Sequence, residues 1–138
     1  MPQRDLYHLT VRNALIADGW TITHDPYTLP AGTQNVFVDL GAERLLAAER
    51  GTERIAVEIK GFIGRSSATD LEQALGQYLL YRGLLLRQEP ERVLYLAVSQ
   101  SAYDTVFVSI IGQVALQDYH LKVIVCDMEQ GTISQWIP

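Results

Sequence analysis

The stretch ERIAVEIKGF (residues 53–62) decides the fold of this chain, because it joins the pattern of a buried strand to two charged residues at its end. Side chains alternate across a strand, so two sets of three residues face opposite sides. The sets are Ile55, Val57 and Ile59 on one face, and Ala56, Glu58 and Lys60 on the other. An acid and a base therefore share one face at the end of an apolar strand.

Length and composition predict one ordinary folded domain over residues 1–138. The 138 residues are 48% hydrophobic and 20% charged, and a chain of this size buries about 68–70% of its unfolded surface. No apolar run approaches the ~20 residues that span a membrane, and the start MPQRDLYHLT lacks the apolar core of a signal peptide. The single cysteine, Cys126, cannot form an intrachain disulfide. We therefore expect a cytoplasmic protein that does not enter membranes.

The charge balance bears on nucleic-acid binding. The net charge is −5, from 11 lysines and arginines against 16 acids, whereas proteins that depend on phosphate contacts usually present a basic surface. An autonomous, tight DNA binder is therefore disfavoured. A role on DNA would need a local basic patch, metal ions or a partner protein.

The first half of the chain predicts a helix, a short strand and a hairpin. Residues 4–20 place Leu6, Leu9 and Ala17 at helical spacing, with Gly19 as the stop. Residues 20–26 (WTITHDP) indicate a strand, and residues 27–35 (YTLPAGTQN) a loop. Residues 36–49 and 53–62 flank the turn signal RGTE, which predicts a hairpin.

The second half predicts a long helix and three more strands. TDLE (residues 69–72) fits a capping box, and the apolar helix that follows ends at Pro90. RVLYLAVS (92–99) and LKVIVCD (121–127) are typical of buried strands, residues 101–120 favour a helix, and TISQWIP (132–138) is a last strand. This order indicates an α/β fold with a mixed central sheet flanked by helices, with parallel pairing across the helical crossovers.

Asp39 lies on the strand before the turn, and alternation places it on the same face as Glu58. Two carboxylates so close repel unless a cation lies between them, and magnesium prefers carboxylate, carbonyl and water oxygens. We expect Asp39, Glu58 and the Ile59 carbonyl to hold Mg²⁺ or Mn²⁺, with Lys60 positioning water or neutralising charge. The alternative is a surface ion pair between Glu58 and Lys60, worth ~0–1 kcal/mol.

Three polar residues form a stripe on the long helix. Gln73, Gln77 and Tyr81 are four apart and so lie on one side of the helix. A buried, unpaired amide costs ~1–3 kcal/mol, so the stripe is expected to meet polar partners beside Lys60. The alternative is that Gln77 and Tyr81 bond each other or solvent.

The pattern Asp39, Glu58-Ile59-Lys60, Gln77-x-x-x-Tyr81 resembles the restriction-endonuclease-like P-D-(D/E)-x-K superfamily. Val38 stands where that motif has proline. The resemblance implies a restriction-endonuclease-like nuclease domain with these residues as its site.

A closer resemblance covers nearly the whole chain. DGWTITHDPYTL, VDLGAERLLAAERG, IAVEIKGF, ALGQYLLYR, RVLYLAV and QWIP together resemble the XisH family, the fdxN element excision controlling factors of cyanobacteria. This implies a role in programmed DNA excision by a site-specific recombinase, alongside a companion factor, XisI.

Several further candidates and two functions stay open. His8 with Asp5 is a candidate acidic-helper position, Glu43 or Glu49 is an alternative second ligand, and Arg65 is a candidate phosphate contact. The chain is either a metal-dependent DNA phosphodiesterase or a regulatory protein that binds a recombinase or companion factor. An uncovered sheet edge at residues 132–138 would also allow self-association.

Overall fold

A computed structural model describes residues 3–32, 34–36, 44–62, 64 and 66–138. The helices are α1 (Gln3–Ala17), α2 (Ser67–Gln88), α3 (Gln100–Ala102), a π-helix (Tyr103–Phe107) and α4 (Ile110–Gln117). The strands are β1 (Thr21–His24), β2 (Leu29–Ala31), β3 (Gln34–Val36), β4 (Arg44–Arg50), β5 (Glu53–Ile59), β6 (Arg92–Ser99), β7 (Val123–Asp127) and β8 (Thr132–Ile137). Within these ranges, no helix has the length and apolarity needed to cross a bilayer.

Six strands form one mixed sheet in the order β1-β4-β5-β6-β7-β8. The pairs β5–β6 and β6–β7 are parallel, and the other neighbours are antiparallel. This confirms the predicted α/β class, the hairpin and the parallel crossovers. The predicted loop over residues 27–35 is wrong in part, because β2 and β3 pair as a separate two-stranded ribbon.

The two faces of the sheet are buried in two separate clusters, as the alternation along β5 predicts. Ala56 belongs to the cluster that contains the buried residues of α2. Ile55, Val57 and Ile59 belong to the cluster that contains Val11 and Leu15 of α1. The sheet is therefore a layer between α2 and α1, which explains why β5 is apolar on both faces.

Helix α1 buries a different stripe from the one that its leucines suggest. Leu6 and Leu9 are 50% and 39% exposed, whereas Val11, Ala14 and Leu15 are buried. The predicted stop is confirmed: Gly19 has φ +95°, a left-handed conformation that glycine adopts without cost.

Helix α2 begins one turn before the predicted capping box. Its N-cap is Ser66, whose Oγ accepts a hydrogen bond from the Thr69 N–H at 3.2 Å. Serine is a strong N-cap residue, and here it takes the role that the TDLE pattern assigned to Thr69. The helix ends at Gln88, just before Pro90, as predicted.

The helical prediction over residues 101–120 is confirmed with a break. Between α3 and α4 the backbone adopts a π-helix, and Ser109 caps α4 by accepting a hydrogen bond from the Gly112 N–H. A Cβ on Gly112 would lie 2.3 Å from the Val106 carbonyl oxygen. The absence of a side chain at this glycine therefore lets α4 fold back on the π-helix.

Candidate active site

Glu58 and Lys60 lie at the end of the central strand β5, on the face covered by α2. Glu58 pairs in register with Leu45 of β4 and Leu96 of β6, and both leucines belong to the core on the α2 side. The Lys60 N–H donates to the Ala97 carbonyl at 3.1 Å, which extends the ladder beyond the strand. Alternation then places both charged side chains on one face.

Both charged groups are buried. Glu58 is 0% exposed and Lys60 is 7% exposed, so the alternative of a surface ion pair is wrong. Burying a carboxylate or an ammonium costs several kcal/mol per ion before any compensation. The strand therefore places two costly groups in a position where apolar residues would fold more easily.

The stripe on α2 divides where it meets the sheet. Tyr81 is 5% exposed and Gln73 is exposed, so the predicted stripe reaches the core only through its later members. The Oε1 atom of Gln77 is buried and has no hydrogen-bond donor among the described residues. Gln77 lies between Ala74 and Tyr78, both buried against the sheet. An amide oxygen thus lies on the helix face that packs against β5 and β6, without a partner from the described part of the chain.

The chain turns sharply after Lys60. Phe62 has φ +51°, a left-handed conformation that costs a non-glycine residue about 1–2 kcal/mol. Its ring packs edge-on against Phe107, with 5.7 Å between centroids. This packing fixes the direction in which the chain leaves the sheet and so helps to place α2 over Glu58.

Asp39, the predicted second carboxylate, lies outside the described residues, as do Glu43 and Arg65. The described part of the site offers a buried carboxylate on Glu58 and a carbonyl on Ile59. Oxygen donors of these two kinds suit Mg²⁺ or Mn²⁺. Among the described residues no three His, Cys, Asp or Glu side chains form a group that could hold a metal ion, so the ligand set of Asp39, Glu58 and Ile59 stays a prediction.

Two weaker candidates lie elsewhere. Glu49 is opposite Arg54 and forms ion pairs with Arg54 at 3.3 Å and Arg92 at 3.9 Å. It is four residues from Glu58 along the ladder, about 13 Å, so Glu49 as a shared ligand is wrong. His8 contacts Asp25 through Nε2 at 2.8 Å.

His8 therefore anchors α1 to the segment after β1. Arg12 donates to the same Asp25 oxygen at 2.7 Å, so the three residues form a local polar cluster. Helix α1 packs on the face of the sheet opposite to Glu58. The side chain of Asp5, the second residue of that candidate pair, lies outside the described part of the structure.

The sequence matches the XisH protein family over residues 1–134. The chain belongs to the XisH family. An XisH family protein from Nostoc punctiforme PCC 73102 has a crystal structure that is 44% identical, with a TM-score of 0.88, covering 97% of this chain and all of that one. A crystal structure of a fdxN element excision controlling factor protein from Anabaena variabilis is 43% identical, with a TM-score of 0.87, covering 97% of this chain and 99% of the other.

No curated protein matches the chain significantly. The XisH resemblance expected from the sequence is thus confirmed by the family match and by two solved structures of almost equal length. The mixed six-stranded sheet with its flanking helices is the architecture that this XisH chain shares with them.

Proposed function

We propose that this chain controls the site-specific excision of a DNA element and carries a metal-dependent phosphodiesterase site of the restriction-endonuclease-like kind at the end of β5. The first half of the proposal is supported by the relative from Anabaena variabilis, which is named a fdxN element excision controlling factor. The second half is supported by the buried Glu58 and Lys60.

The burial of these two residues is the observation that carries the catalytic proposal. Lys, Glu, Arg and Asp are almost never fully buried unless they are paired. Here the acid and the base are on one face, two positions apart, at the end of a strand with pairing partners on both sides. A purely structural role would be served by apolar residues of similar size.

The proposed roles follow from the side-chain chemistry. Asp39 and Glu58, with the Ile59 carbonyl, hold Mg²⁺ or Mn²⁺, which when bound stabilises negative charge on a phosphoryl group and lowers the pKa of water. Lys60 orients the attacking water or neutralises the growing charge on the phosphate.

Two residues of α2 support that arrangement. Gln77 supplies an amide oxygen that accepts a hydrogen bond from Lys60 or from a water. Tyr81 lies one helical turn further along and supplies a hydroxyl donor on the same side. Both are positioning residues, and their loss is expected to lower the rate less than loss of Lys60.

The proposed substrate is DNA, reached with the help of partners. With a net charge of −5, the chain lacks a strong general attraction for phosphates. A companion factor of the XisI kind or a recombinase would then deliver it to its DNA.

The second candidate function is a non-catalytic regulator that binds a recombinase or companion factor. The observation that favours it is a group of exposed apolar residues around the start of α4. Val108, Ile110 and Ile111 are 60%, 84% and 46% exposed, and clustered exposed apolar residues mark protein contacts. Self-association through the edge strand β8 is a further proposal of this kind.

A thermal titration with MgCl₂ or MnCl₂ tests the metal site. Binding at 100 times the dissociation constant should stabilise the wild type by about 2.7 kcal/mol. Asp39→Asn and Glu58→Gln should abolish this stabilisation, since both keep the size of the side chain and remove its charge. Glu72→Gln, an exposed change on α2, is the matched control and should leave it intact.

A cleavage assay separates the two candidate functions. Single- and double-stranded DNA are incubated with Mn²⁺ and the protein, alone and with its companion factor. Lys60→Met should lose at least about a hundredfold in rate. A wild type that neither gains stability from millimolar metal nor cleaves with the companion present would leave the regulatory function as the conclusion.

A further inference from the structure

A cavity of about 220 Å³ lies at the other end of the hairpin from Glu58. Its lining is Trp20, Arg50, Glu53, Ile55, Tyr95 and Trp136. Ile55 and Trp20 belong to the core on the α1 side, and Tyr95 and Trp136 pack against it. The cavity is therefore separated from the candidate active site by the sheet itself and by most of the length of β5.

Three aromatic rings and one guanidinium converge on this cavity. Trp136 lies 5.8 Å from Trp20 and 5.1 Å from Tyr95, between ring centroids. The Arg50 guanidinium lies over the Trp20 ring at 4.5 Å. Aromatic rings and the flat guanidinium of arginine are the surfaces on which proteins stack unpaired nucleobases.

An accessible hydrogen-bond donor of the lining is the Arg50 guanidinium. The Arg50 side chain is 42% exposed, whereas Trp20 is 3% exposed and its Nε1–H is closed off from solvent. A ligand in the cavity that offers an acceptor oxygen or nitrogen would therefore meet the guanidinium rather than the indole N–H.

An acceptor lies on the rim beside this donor. The Glu53 carboxylate is 3.6 Å from Arg50 Nη2, and its side chain is 63% exposed. Tyr95 lines the same cavity as Glu53, and its pKa is raised first by burial and second by the charge of Glu53. The lining therefore offers donors and an acceptor around a flat apolar space.

The volume of the cavity and the charges around it limit the kind of ligand that it can bind. The volume is below the roughly 300–1,000 Å³ of pockets for drug-sized molecules, so it suits one ring system. Arg50 is flanked by Asp18 at 3.2 Å and by Glu53, which leaves little excess positive charge to hold a phosphate.

We propose that this cavity binds a single nucleobase, with guanine as the best match. Guanine presents the O6 acceptor beside the N1–H and N2–H donors on one edge, which complements the adjacent Arg50 guanidinium and Glu53 carboxylate. Cytosine presents acceptors where the carboxylate lies and is expected to bind worse. The base comes either from a free nucleotide or from an unpaired stretch of a strand. The cavity and the proposed metal site are separate, so a negative result for one proposal does not affect the other.

The tryptophans make the test specific, because the chain has only two and both line the cavity. Their two indole N–H signals in a ¹⁵N-correlated spectrum, together with tryptophan fluorescence, report this cavity. The full chain is titrated with GMP, with CMP and with a guanine-containing single-stranded octamer. We expect saturable shifts of both indole signals with GMP, at an affinity about tenfold above that for CMP.

Two variants and one control locate the binding. Glu53→Gln, an exposed substitution, should weaken GMP binding about tenfold, and Arg50→Gln should do the same by removing the charged donor. Glu72→Gln, an exposed acid on α2, should bind as the wild type does.

Three outcomes of these titrations decide the proposal. Shifts with the octamer but not with GMP would assign the base to a strand and support the proposal. No saturable change with any of the three probes at millimolar concentration would overturn it. Undiminished binding to both variants would overturn it as well, because the ligand would then lie elsewhere.

Discussion

The backbone N–H of Gly64 donates a hydrogen bond of 2.9 Å to the Asp70 carboxylate. Asp70 lies in the first turn of α2 and is 9% exposed, so this contact holds the segment after Lys60 against the start of the helix. The sequence analysis did not predict this hydrogen bond, although an acidic residue in the first turn of a helix indicates a contact with the backbone at the helix start. The contact places α2 over the face that carries Glu58.

Gly64→Ala is expected to destabilise the protein by about 1–3 kcal/mol. A Cβ at this position would lie 2.6 Å from Asp70 Oδ1, so the carboxylate must move and its hydrogen bond must weaken. Urea unfolding measures the change. Gly76→Ala is the control, because nothing lies within 4 Å of a Cβ there. In the middle of α2 it should instead stabilise by about 0.5–1 kcal/mol, and equal effects would contradict the steric argument.

Arg92→Met is expected to destabilise the protein by about 2–4 kcal/mol. The arginine side chain is 3% exposed, donates to the Ile55 carbonyl at 3.0 Å and pairs with Glu89 at 2.9 Å. Its loss leaves a buried carbonyl without this donor and Glu89 without the guanidinium to which it is hydrogen-bonded. Arg54→Met, whose side chain is 51% exposed and pairs with Glu49, should cost less than about 1 kcal/mol. Comparable losses in chemical denaturation would show that burial is not what makes Arg92 important.

The stabilising effect of Glu89 is expected to depend on pH. Its pKa is lowered from 4.5, first by the hydrogen bond from Tyr27 and then by Arg92. A lowered pKa means that the ionised form is favoured in the folded state, so the contribution is complete above pH 4.5 and fades as the pH falls through the lower folded value. Urea unfolding of Glu89→Gln and wild type from pH 3 to 7 should show a difference that shrinks below pH 4.5. Glu91→Gln, an exposed acid nearby, controls for net charge.

Cys126 is expected to resist alkylation in the folded protein. The thiol is 0% exposed, and burial raises its pKa from 9.0 to about 12. Only the thiolate reacts, so iodoacetamide at pH 8 should modify the native chain at least about a thousandfold more slowly than the chain in 6 M guanidinium. Mass spectrometry of timed samples measures both rates. Fast native labelling would mean that β7 opens locally without global unfolding.

The fold was largely readable from local patterns. Continuous apolar runs at residues 92–99 and 121–127 predicted the buried parallel strands, and alternation along ERIAVEIKGF divided its residues correctly between two cores. These signals are local, because a strand buried on both faces needs apolar residues at nearly every position. The start of α2 and the β2–β3 ribbon were misread. In both cases the local pattern fitted two structures: Ser66 competed with Thr69 as the N-cap of α2, and the turn residues between two very short strands are also typical of a loop.

The sequence by itself determined the class of the fold, the family and the pairing of Glu58 with Lys60 on one face, because strand alternation and motif spacing are written in consecutive residues. Only the tertiary structure decided that both charges are buried, that Glu49 is too distant to join them, and that Trp20, Tyr95 and Trp136 line one cavity. Whether a side chain is buried, and which side chains meet in a cavity, depends on how segments that are distant in the sequence pack together. The alternation of side chains along one strand does not identify those segments.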